Sequence, residues 1–287
     1  MKKDKEIILN EQFNVMKKDY NNKPFPTYEE RKEILLSLKK SILDNEQKIY
    51  QSLNKDYWYR SEFDTLISDI VPIVWMINYS LKNLKKWMRK SRRHSGLFLF
   101  PSKVEVHYQP LWVVWVITPW NFPIYLSLWP AIQAIAAWNR VLIKMSETTP
   151  ETTKIMKKVL STISKHIDVI DWWPGSWSVF SRLPFNHLIF TGSSYTGKSV
   201  AKAAADNLTP ITLELGWKSP TIIADDICIE SVVNSIMIWK ITNGWQICVA
   251  PDYIFVPENK KDKFIKTFIK SYWEYYDTNL FNNNRLM

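Results

Sequence analysis

The chain has 287 residues, 46% of them hydrophobic, which is enough to build the core of one large domain or of two. Its formal net charge is +10, but the lysines are scattered. The densest basic run, Lys82–Arg93, is interleaved with apolar residues at helical spacing, which is typical of a solvated helix face and not of a nucleic-acid surface. Two cysteines and an N-terminus without an apolar leader exclude a disulfide framework and a secretory signal, and they predict a reduced, cytoplasmic location.

The first 95 residues have a helical pattern. Apolar side chains recur with a period near 3.6 between Glu29 and Tyr50, and again over Asp69–Met88. We therefore expect an N-terminal helical arm. The most apolar stretch of the chain, residues 122–138, is interrupted by Pro130 and Gln133, so no membrane span is predicted.

From Val104 onward the pattern changes to short apolar strands that alternate with helices. Strands are predicted at Leu111–Ile117, Arg140–Lys144, Asp168–Ile170, His187–Phe190, Ile211–Leu215 and Thr221–Ala224, with helices at about 122–137, 150–165 and 195–206. This order is typical of βαβ units and predicts an α/β fold with a parallel sheet, which binds ligands at the carboxyl ends of its strands. A helix towards Lys240, a strand at Asp252–Val256 and a helix at Lys260–Tyr276 follow.

The two cysteines differ in their surroundings. Cys248 ends the stretch N-G-W-Q-I-C, where the polar residues Asn243 and Gln246 predict an accessible loop. An accessible thiol with a lowered pKa is nucleophilic, whereas a free cysteine without such a context is more often a small buried apolar residue. Cys228 lies among acidic residues that would raise its pKa, and it is assigned no role.

Two further polar residues stand in apolar surroundings. Glu214 is predicted at the carboxyl end of a strand, where a carboxylate is either paired in an ion pair or functional. Asn121 lies between two prolines in P-W-N-F-P, and it either caps the next helix or donates its side-chain amide to an oxyanion.

A glycine-containing turn follows the strand predicted at His187–Phe190. Its sequence, G-S-S-Y-T-G-K-S (Gly192–Ser199), matches the P-loop pattern of ATPases and GTPases. A dinucleotide site uses the same strand–turn–helix device to hold a pyrophosphate, so both functions remain open at this point.

Lys144 and Glu147 follow the strand predicted at Arg140–Lys144. They are either surface charges or, at this edge of a parallel sheet, groups that bind ribose hydroxyls of a dinucleotide. An acidic residue in that place disfavours a 2′-phosphate.

Taken together, these segments resemble the aldehyde dehydrogenase superfamily, in particular its coniferyl-aldehyde branch, from about Tyr28 to Pro257. The resemblance is carried by D-Y-W-Y-R-S-E (56–62), V-I-T-P-W-N-F-P-I-Y-L-S-L (116–128), N-R-V-L-I-K-M-S-E-T-T-P (139–150), F-S-R-L-P-F-N-H-L-I-F-T-G-S (180–193), N-L-T-P-I-T-L-E-L-G (207–216) and C-V-A-P-D-Y (248–253). It implies a Rossmann-like cofactor domain with its helical arm in residues 1–215 and the start of an α/β catalytic domain in residues 216–287.

The resemblance also implies a role for each candidate residue. Cys248 is the nucleophile, Glu214 the general base, and Asn121 a donor to the oxyanion. The positions that match cofactor contacts are Thr118, Trp120, Lys144, Glu147, Gly192 and Ser193. The implied cofactor is NAD or NADP, the implied substrate an aldehyde, and the full-length form is expected to be a homodimer. No metal is expected at this site.

Tryptophan is unusually common in this chain, with 15 residues against only 6 glycines. Eleven tryptophans stand where the family pattern has glycine, namely Trp58, Trp112, Trp115, Trp129, Trp138, Trp172, Trp173, Trp177, Trp217, Trp239 and Trp245. Trp87 and Trp120 stand where the family has tryptophan, and Trp75 and Trp273 are unassigned. Glycine at the eleven positions would bring its content close to the usual roughly 7%. We therefore expect that UGA codons for glycine have been translated as tryptophan.

The chain is also shorter than the family pattern, and we expect it to be a gene fragment that lacks the rest of the catalytic domain and a dimerising strand. In its written form it is predicted to be inactive, because Trp217 and Trp245 would crowd the glutamate and cysteine that they flank. Two alternatives to the dehydrogenase remain open, a P-loop NTPase that uses Gly192–Ser199 and a remnant without catalytic activity.

Overall fold

The computed structural model describes residues 2–170 and 180–276. Three of the tryptophans that are predicted to replace glycine, Trp172, Trp173 and Trp177, lie outside the described residues. No helix in the described part is long and apolar enough to cross a bilayer.

The predicted helical arm is confirmed. It consists of α1 (Lys2–Asn22), α2 (Tyr28–Asp44), α3 (Glu46–Tyr57), the short α4 (Glu62–Thr65) with a π-helical turn at Leu66–Ile70, and α5 (Val71–Trp87). Helix α2 begins with a capping box, in which Thr27 and Glu30 accept hydrogen bonds from each other's backbone N–H groups. The chain then turns at Asn45, so the apolar pattern of Glu29–Tyr50 covers two helices.

A two-stranded antiparallel ribbon follows the arm. Strands β1 (Ser91–Arg93) and β2 (Val104–Val106) pair so that Ser91 lies opposite Val106. The expectation that residues 1–95 are helical is therefore wrong for Ser91–Arg93, because these residues exchange backbone hydrogen bonds with a partner strand instead of forming another helical turn.

The predicted parallel sheet is also confirmed. Its strands are β3 (Val113–Ile117), β4 (Arg140–Lys144), β5 (Ile167–Val169), β6 (His187–Thr191) and β7 (Ile211–Glu214), and the connecting helices that the structure describes are α6 (Pro123–Ala136), α7 (Pro150–Leu160) and α8 (Ser194–Ala205). The spatial order of the five strands is β5-β4-β3-β6-β7, and every neighbouring pair is parallel. Helix α7 ends earlier than the predicted 150–165, and a 3₁₀ turn at Ser161–Ile163 follows it.

Apolar side chains cover both faces of this sheet, as its continuous hydrophobic strands require. Val114 and Val116 point to the face that is covered by helices α2, α3, α5, α6 and α7. Val113 and Trp115 point to the opposite face, where α1 and α8 pack.

A second, smaller unit follows the sheet. Strands β8 (Ser219–Ile222) and β9 (Pro251–Phe255) pair in parallel, and they pack with α9 (Ile229–Ile241) and α10 (Lys261–Tyr276) around a separate apolar cluster. The strand predicted at Thr221–Ala224 belongs to this small sheet and begins two residues earlier. A domain boundary after residue 215 remains a prediction, and the separate cluster is compatible with it.

Candidate active site

The carboxyl ends of β3 and β6 form the switch point of the parallel sheet. The chain moves outward from β3 through β4 to β5, and then returns to add β6 and β7 on the other side of β3. Loops that leave neighbouring strands in opposite directions open a crevice, which is the usual ligand site of such sheets. The residues that follow β3 and β6 are therefore the first candidates for ligand binding.

Thr118 and Asn121 lie in the loop that follows β3. The Thr118 N–H donates to the Lys144 carbonyl over 2.9 Å, which joins the ends of β3 and β4. The Thr118 hydroxyl is buried, and no residue within the described structure bonds to it. Because a buried hydroxyl without a partner is costly, this oxygen is a candidate for contact with a bound ligand.

Asn121 connects this loop to the loop of Cys248. Its side-chain Nδ2 donates to the Gln246 carbonyl over 2.7 Å, and its own carbonyl accepts from Asn243 Nδ2 over 2.8 Å. The capping alternative for Asn121 is wrong, because Phe122 is the N-cap residue of α6 and the Tyr125 N–H donates instead to Asp69 over 2.7 Å. The side-chain amide of Asn121 is thus bonded to Gln246, which precedes Cys248 by two residues in the chain.

A buried ion pair from the helical arm supports the Asn121 loop. Arg60 and Asp69 lie 2.8 Å apart with side chains that are 2% and 0% exposed. Arg60 also donates to the Asn121 carbonyl over 3.1 Å, and its guanidinium lies over the Phe122 ring. This pair was not predicted from the sequence. Asp69 could have indicated the ion pair, because a carboxylate among apolar helix residues needs a partner when it is buried.

Cys248 lies in the turn after α9. The chain reaches it through three successive residues with positive φ, Asn243 (52°), Gly244 (58°) and Trp245 (71°). The thiol is exposed. Burial raises the pKa of Tyr125, which lies in the first turn of α6, and its electrostatic interaction with Cys248 acts in the same direction.

Cys228 has a different position from Cys248. It precedes α9, and its thiol donates to Glu230 over 3.0 Å. Helix α9, which has 13 residues, lies between the two cysteines in the chain and has a length of about 20 Å at the rise of an α-helix. Cys228 therefore contributes no group to the Asn121 loop.

Glu214 is the last residue of β7 and is exposed. It lies opposite Thr191 in the register, and its carbonyl accepts from the Gly192 N–H over 3.0 Å. The structure therefore places Glu214 beside Gly192 and Ser193 on one edge of the sheet. Within the described residues, the Glu214 carboxylate accepts no hydrogen bond from Cys248 or Asn121.

Lys144 and Glu147 form an ion pair of 3.0 Å at the end of β4. Lys144 is buried and Glu147 is exposed to solvent on one side. Burial lowers the pKa of Lys144 because the ammonium loses its hydration, while Glu147 acts in the opposite direction. The pair can present one donor and one acceptor to a ligand at the carboxyl edge of the sheet.

Gly192 and Ser193 join β6 to α8. A Cβ atom at Gly192 would lie 2.7 Å from the Phe190 ring, so only glycine fits there without displacement of that ring. Ser193 caps α8 by accepting from the Thr196 N–H over 3.2 Å. The N-terminus of an α-helix in this position is a potential anion site.

The P-loop pattern does not form a P-loop. Only Gly192 and Ser193 lie between β6 and α8, whereas Gly197 and Lys198 are inside the helix. Gly197 packs against Leu215, where a Cβ atom would come within 2.7 Å of that side chain. The second glycine of the pattern thus permits close packing of the helix against β7 and does not wrap around a phosphate.

A pocket of about 370 Å³ lies next to the Cys248 loop. Its lining residues are Asp56, Tyr57, Trp58, Trp120, Thr148, Thr149 and Gln246. The Tyr57 hydroxyl donates to the Trp120 carbonyl, so α3 holds one wall of the pocket against the loop after β3. Among the described residues, no group of acidic, histidine or cysteine side chains is arranged to hold a metal ion.

Comparison with known proteins agrees with this architecture. The profile of the aldehyde dehydrogenase family matches residues 17–276, which is most of the chain. The chain belongs to the aldehyde dehydrogenase family. It is 41% identical over 251 residues to a protein of Pseudomonas aeruginosa named "Probable coniferyl aldehyde dehydrogenase", and this match covers 87% of the chain and 53% of the relative.

Solved aldehyde dehydrogenases have the same fold. The substrate-bound structure of Staphylococcus aureus AldH superposes with a TM-score of 0.91 at 33% identity, covering 97% of this chain and 61% of that one. A Mycobacterium tuberculosis aldehyde dehydrogenase complexed with NAD+ gives a TM-score of 0.81 at 22% identity, covering 90% and 54%, and at that identity it shows the fold alone. The chain spans between half and two thirds of the length of these proteins.

Proposed function

We propose that the complete protein oxidises aldehydes to carboxylic acids with NAD or NADP through a thioester on Cys248. The observation that carries this proposal is the hydrogen bond from Asn121 Nδ2 to the Gln246 carbonyl. It draws the loop of an exposed thiol to the loop after β3, at the switch point where parallel sheets bind their ligands. Membership of the aldehyde dehydrogenase family supports the same chemistry.

The cofactor would occupy the crevice between β3 and β6. The buried Thr118 hydroxyl that lacks a partner, the absence of room for a side chain at Gly192, and the capped N-terminus of α8 all fit a dinucleotide. Lys144 and Glu147 would hold ribose hydroxyls, and Trp120 would line the approach to the nicotinamide. When bound, NAD or NADP accepts the hydride that leaves the substrate carbon.

In the first step, the Cys248 thiolate attacks the aldehyde carbon and forms a C–S bond, while the carbonyl electrons move to oxygen. The resulting oxyanion would accept hydrogen bonds from Asn121 Nδ2 and the Cys248 backbone N–H. For this to occur, Asn121 must exchange its bond to the Gln246 carbonyl for one to the substrate. Loss of hydride from carbon then restores the C=O bond and leaves a thioester.

In the second step, Glu214 takes a proton from a water molecule, which attacks the thioester carbon. The C–S bond breaks, the carboxylic acid leaves, and the Cys248 thiolate is restored. Glu214 is exposed at the end of β7, so it can reach water without rearrangement of the sheet.

The proposal is tested with the complete gene product, purified and mixed with coniferyl aldehyde and NAD+ or NADP+. We expect NADH or NADPH absorbance to rise in step with formation of the carboxylic acid. A folded complete protein that forms neither product with a series of aromatic and aliphatic aldehydes would contradict the proposal and favour a remnant without catalytic activity.

We also expect the complete protein to be a homodimer and to be located in the cytoplasm. Light scattering measures the oligomeric state, and cell fractionation measures the location.

The Lys144→Met variant of the complete protein is expected to raise the KM for the cofactor by about 10- to 100-fold with a smaller change in kcat, because a charge-assisted hydrogen bond contributes about 1.5–3 kcal/mol to binding. The matched control is Lys154→Met, which removes an equally spaced but exposed ion pair with Glu151. Equal cofactor KM values in the two variants would exclude Lys144 from the cofactor site.

A further inference from the structure

Within the described structure, tryptophan occupies most of the non-glycine positions whose backbone conformation favours glycine. Six non-glycine residues of the described structure have positive φ, and four of them are tryptophans: Trp58 (64°), Trp112 (98°), Trp138 (71°) and Trp245 (71°). The other two are Leu208 and Asn243. A bulky side chain in this region is strained because its Cβ atom comes too close to the following carbonyl oxygen, whereas glycine adopts the conformation freely.

Two of these positions are helix ends with the geometry that selects glycine. At the end of α6, the Trp138 N–H donates to the Ile135 carbonyl and the Asn139 N–H donates to the Ala134 carbonyl, each over 2.8 Å. This pair of bonds is the Schellman motif, with Trp138 at the left-handed position that glycine usually occupies. Trp58 ends α3, also in a left-handed conformation.

Leu208 shows that the fold tolerates some strain of this kind, since it occupies the equivalent position after α8. Tolerance of one leucine does not explain the bias towards tryptophan. Asn243 is among the few residue types that enter the left-handed region readily. Tryptophan has no such property, yet it accounts for most of the strained positions.

A second, independent observation concerns Trp115 in the middle of β3. Its side chain is fully buried against Phe180 and Phe185, and its indole N–H has no hydrogen-bond partner in the described structure. A buried indole normally places its N–H against an acceptor, and an unpaired one is costly. Glycine at this position has no side-chain donor to satisfy.

We propose that the functional polypeptide carries glycine at positions 58, 112, 115, 138 and 245, because the source organism reads the codon UGA as glycine. UGA codes for different residues in different genetic codes, so one reassigned codon accounts for all five positions at once. The structure offers no backbone reason for glycine at Trp75, Trp87 and Trp273, which lie in helices α5 and α10.

Glycine at two of these positions would also change the proposed active site. Trp58 lines the pocket beside Gln246, and its side chain is 89% exposed. Trp245 lies three residues before Cys248. Without these two indoles, both the pocket and the approach to the thiol would be more open. The identity of these residues does not depend on the proposed catalytic activity.

The decisive experiment is tandem mass spectrometry of tryptic peptides from the native protein, together with the codons of its gene. The peptide of residues 104–140 contains Trp112, Trp115 and Trp138 together with Trp120, which serves as an internal control. We expect glycine at the first three, tryptophan at position 120, and codons TGA and TGG respectively. Peptides 56–60 and 241–260 report on positions 58 and 245 in the same way. Tryptophan at the five positions, or TGG codons there, would overturn the proposal.

A stability measurement tests the backbone argument without reference to activity. In the 287-residue chain, the triple variant Trp58→Gly, Trp112→Gly and Trp245→Gly replaces side chains that are 89%, 42% and 53% exposed. We expect its Tm to rise by about 5 °C, because relief of left-handed strain outweighs the loss of exposed contacts. Recovery of soluble protein from this variant alone would be an equally favourable result.

The matched control is the triple variant Trp75→Gly, Trp87→Gly and Trp273→Gly. These side chains are also exposed, at 69%, 40% and 63%, but they lie in helices where glycine is unfavourable. We expect the Tm of this control to fall by a similar amount. Equal losses of stability in both triple variants would show that the left-handed positions do not call for glycine, and this would contradict the structural argument.

Discussion

Replacement of Cys248 with serine is expected to lower the kcat of the complete protein by about 10³-fold or more, because a hydroxyl is a much weaker nucleophile than a thiolate. The side chain is exposed in a turn, so the substitution is expected to leave the fold and cofactor affinity unchanged. Steady-state kinetics and a titration of cofactor binding by fluorescence measure the two effects separately.

The chain offers a matched control in its second exposed cysteine. Cys228→Ser changes a thiol whose described hydrogen bond is to Glu230, before α9. We expect this variant to retain its kcat within a factor of about two, since it contacts neither substrate nor cofactor. If Cys228→Ser were as inactive as Cys248→Ser, or if Cys248→Ser kept its activity, Cys248 would not be the nucleophile.

Replacement of Asp69 with alanine is expected to destabilise the protein by about 3–5 kcal/mol, because it leaves the buried Arg60 guanidinium without its counter-charge. The substitution also removes the acceptor of the Tyr125 N–H at the start of α6. Since Arg60 holds the Asn121 carbonyl, we expect activity to fall as well. Urea denaturation followed by circular dichroism measures the free energy of unfolding.

An exposed ion pair of the same arm provides the comparison. Asp44 pairs with Lys40 at the end of α2, and both side chains are more than half exposed. Asp44→Ala is expected to change the free energy of unfolding by less than about 0.5 kcal/mol, as solvent screens such pairs. A similar small change for Asp69→Ala would mean that the arm does not support the active-site loop.

The sheet was predictable because its strands have the local signature of burial on both faces. Arg140–Lys144 was predicted with its observed bounds, and the apolar run from Leu111 to Ile117 contains all of β3. Local patterning also located Glu214 at the end of a strand and Cys248 in a turn. These features depend on residues that are close in sequence, where periodicity and turn residues carry the information.

The contacts of the site were not predictable in this way. Asn121 and Gln246 are 125 residues apart, and the choice between a helix cap and a contact with the Cys248 loop depended on where α9 delivers that loop. The match to a P-loop was likewise misleading, because the same letters form either a phosphate loop or the first turns of a helix. Only the distance between the end of β6 and the start of α8 distinguishes the two structures.

The sequence by itself thus determined the fold class through its strand and helix pattern, and the excess of tryptophan through its composition. The resemblance of its motifs to the aldehyde dehydrogenases indicated the family and the candidate nucleophile. The tertiary structure alone decided that β3 and β6 meet at the switch point, that Arg60 and Asp69 support the Asn121 loop, and that Trp58, Trp112, Trp138 and Trp245 occupy left-handed positions. The physical reason is that strand order, buried charge pairing and backbone strain arise from packing between distant segments, which no local pattern of residues specifies.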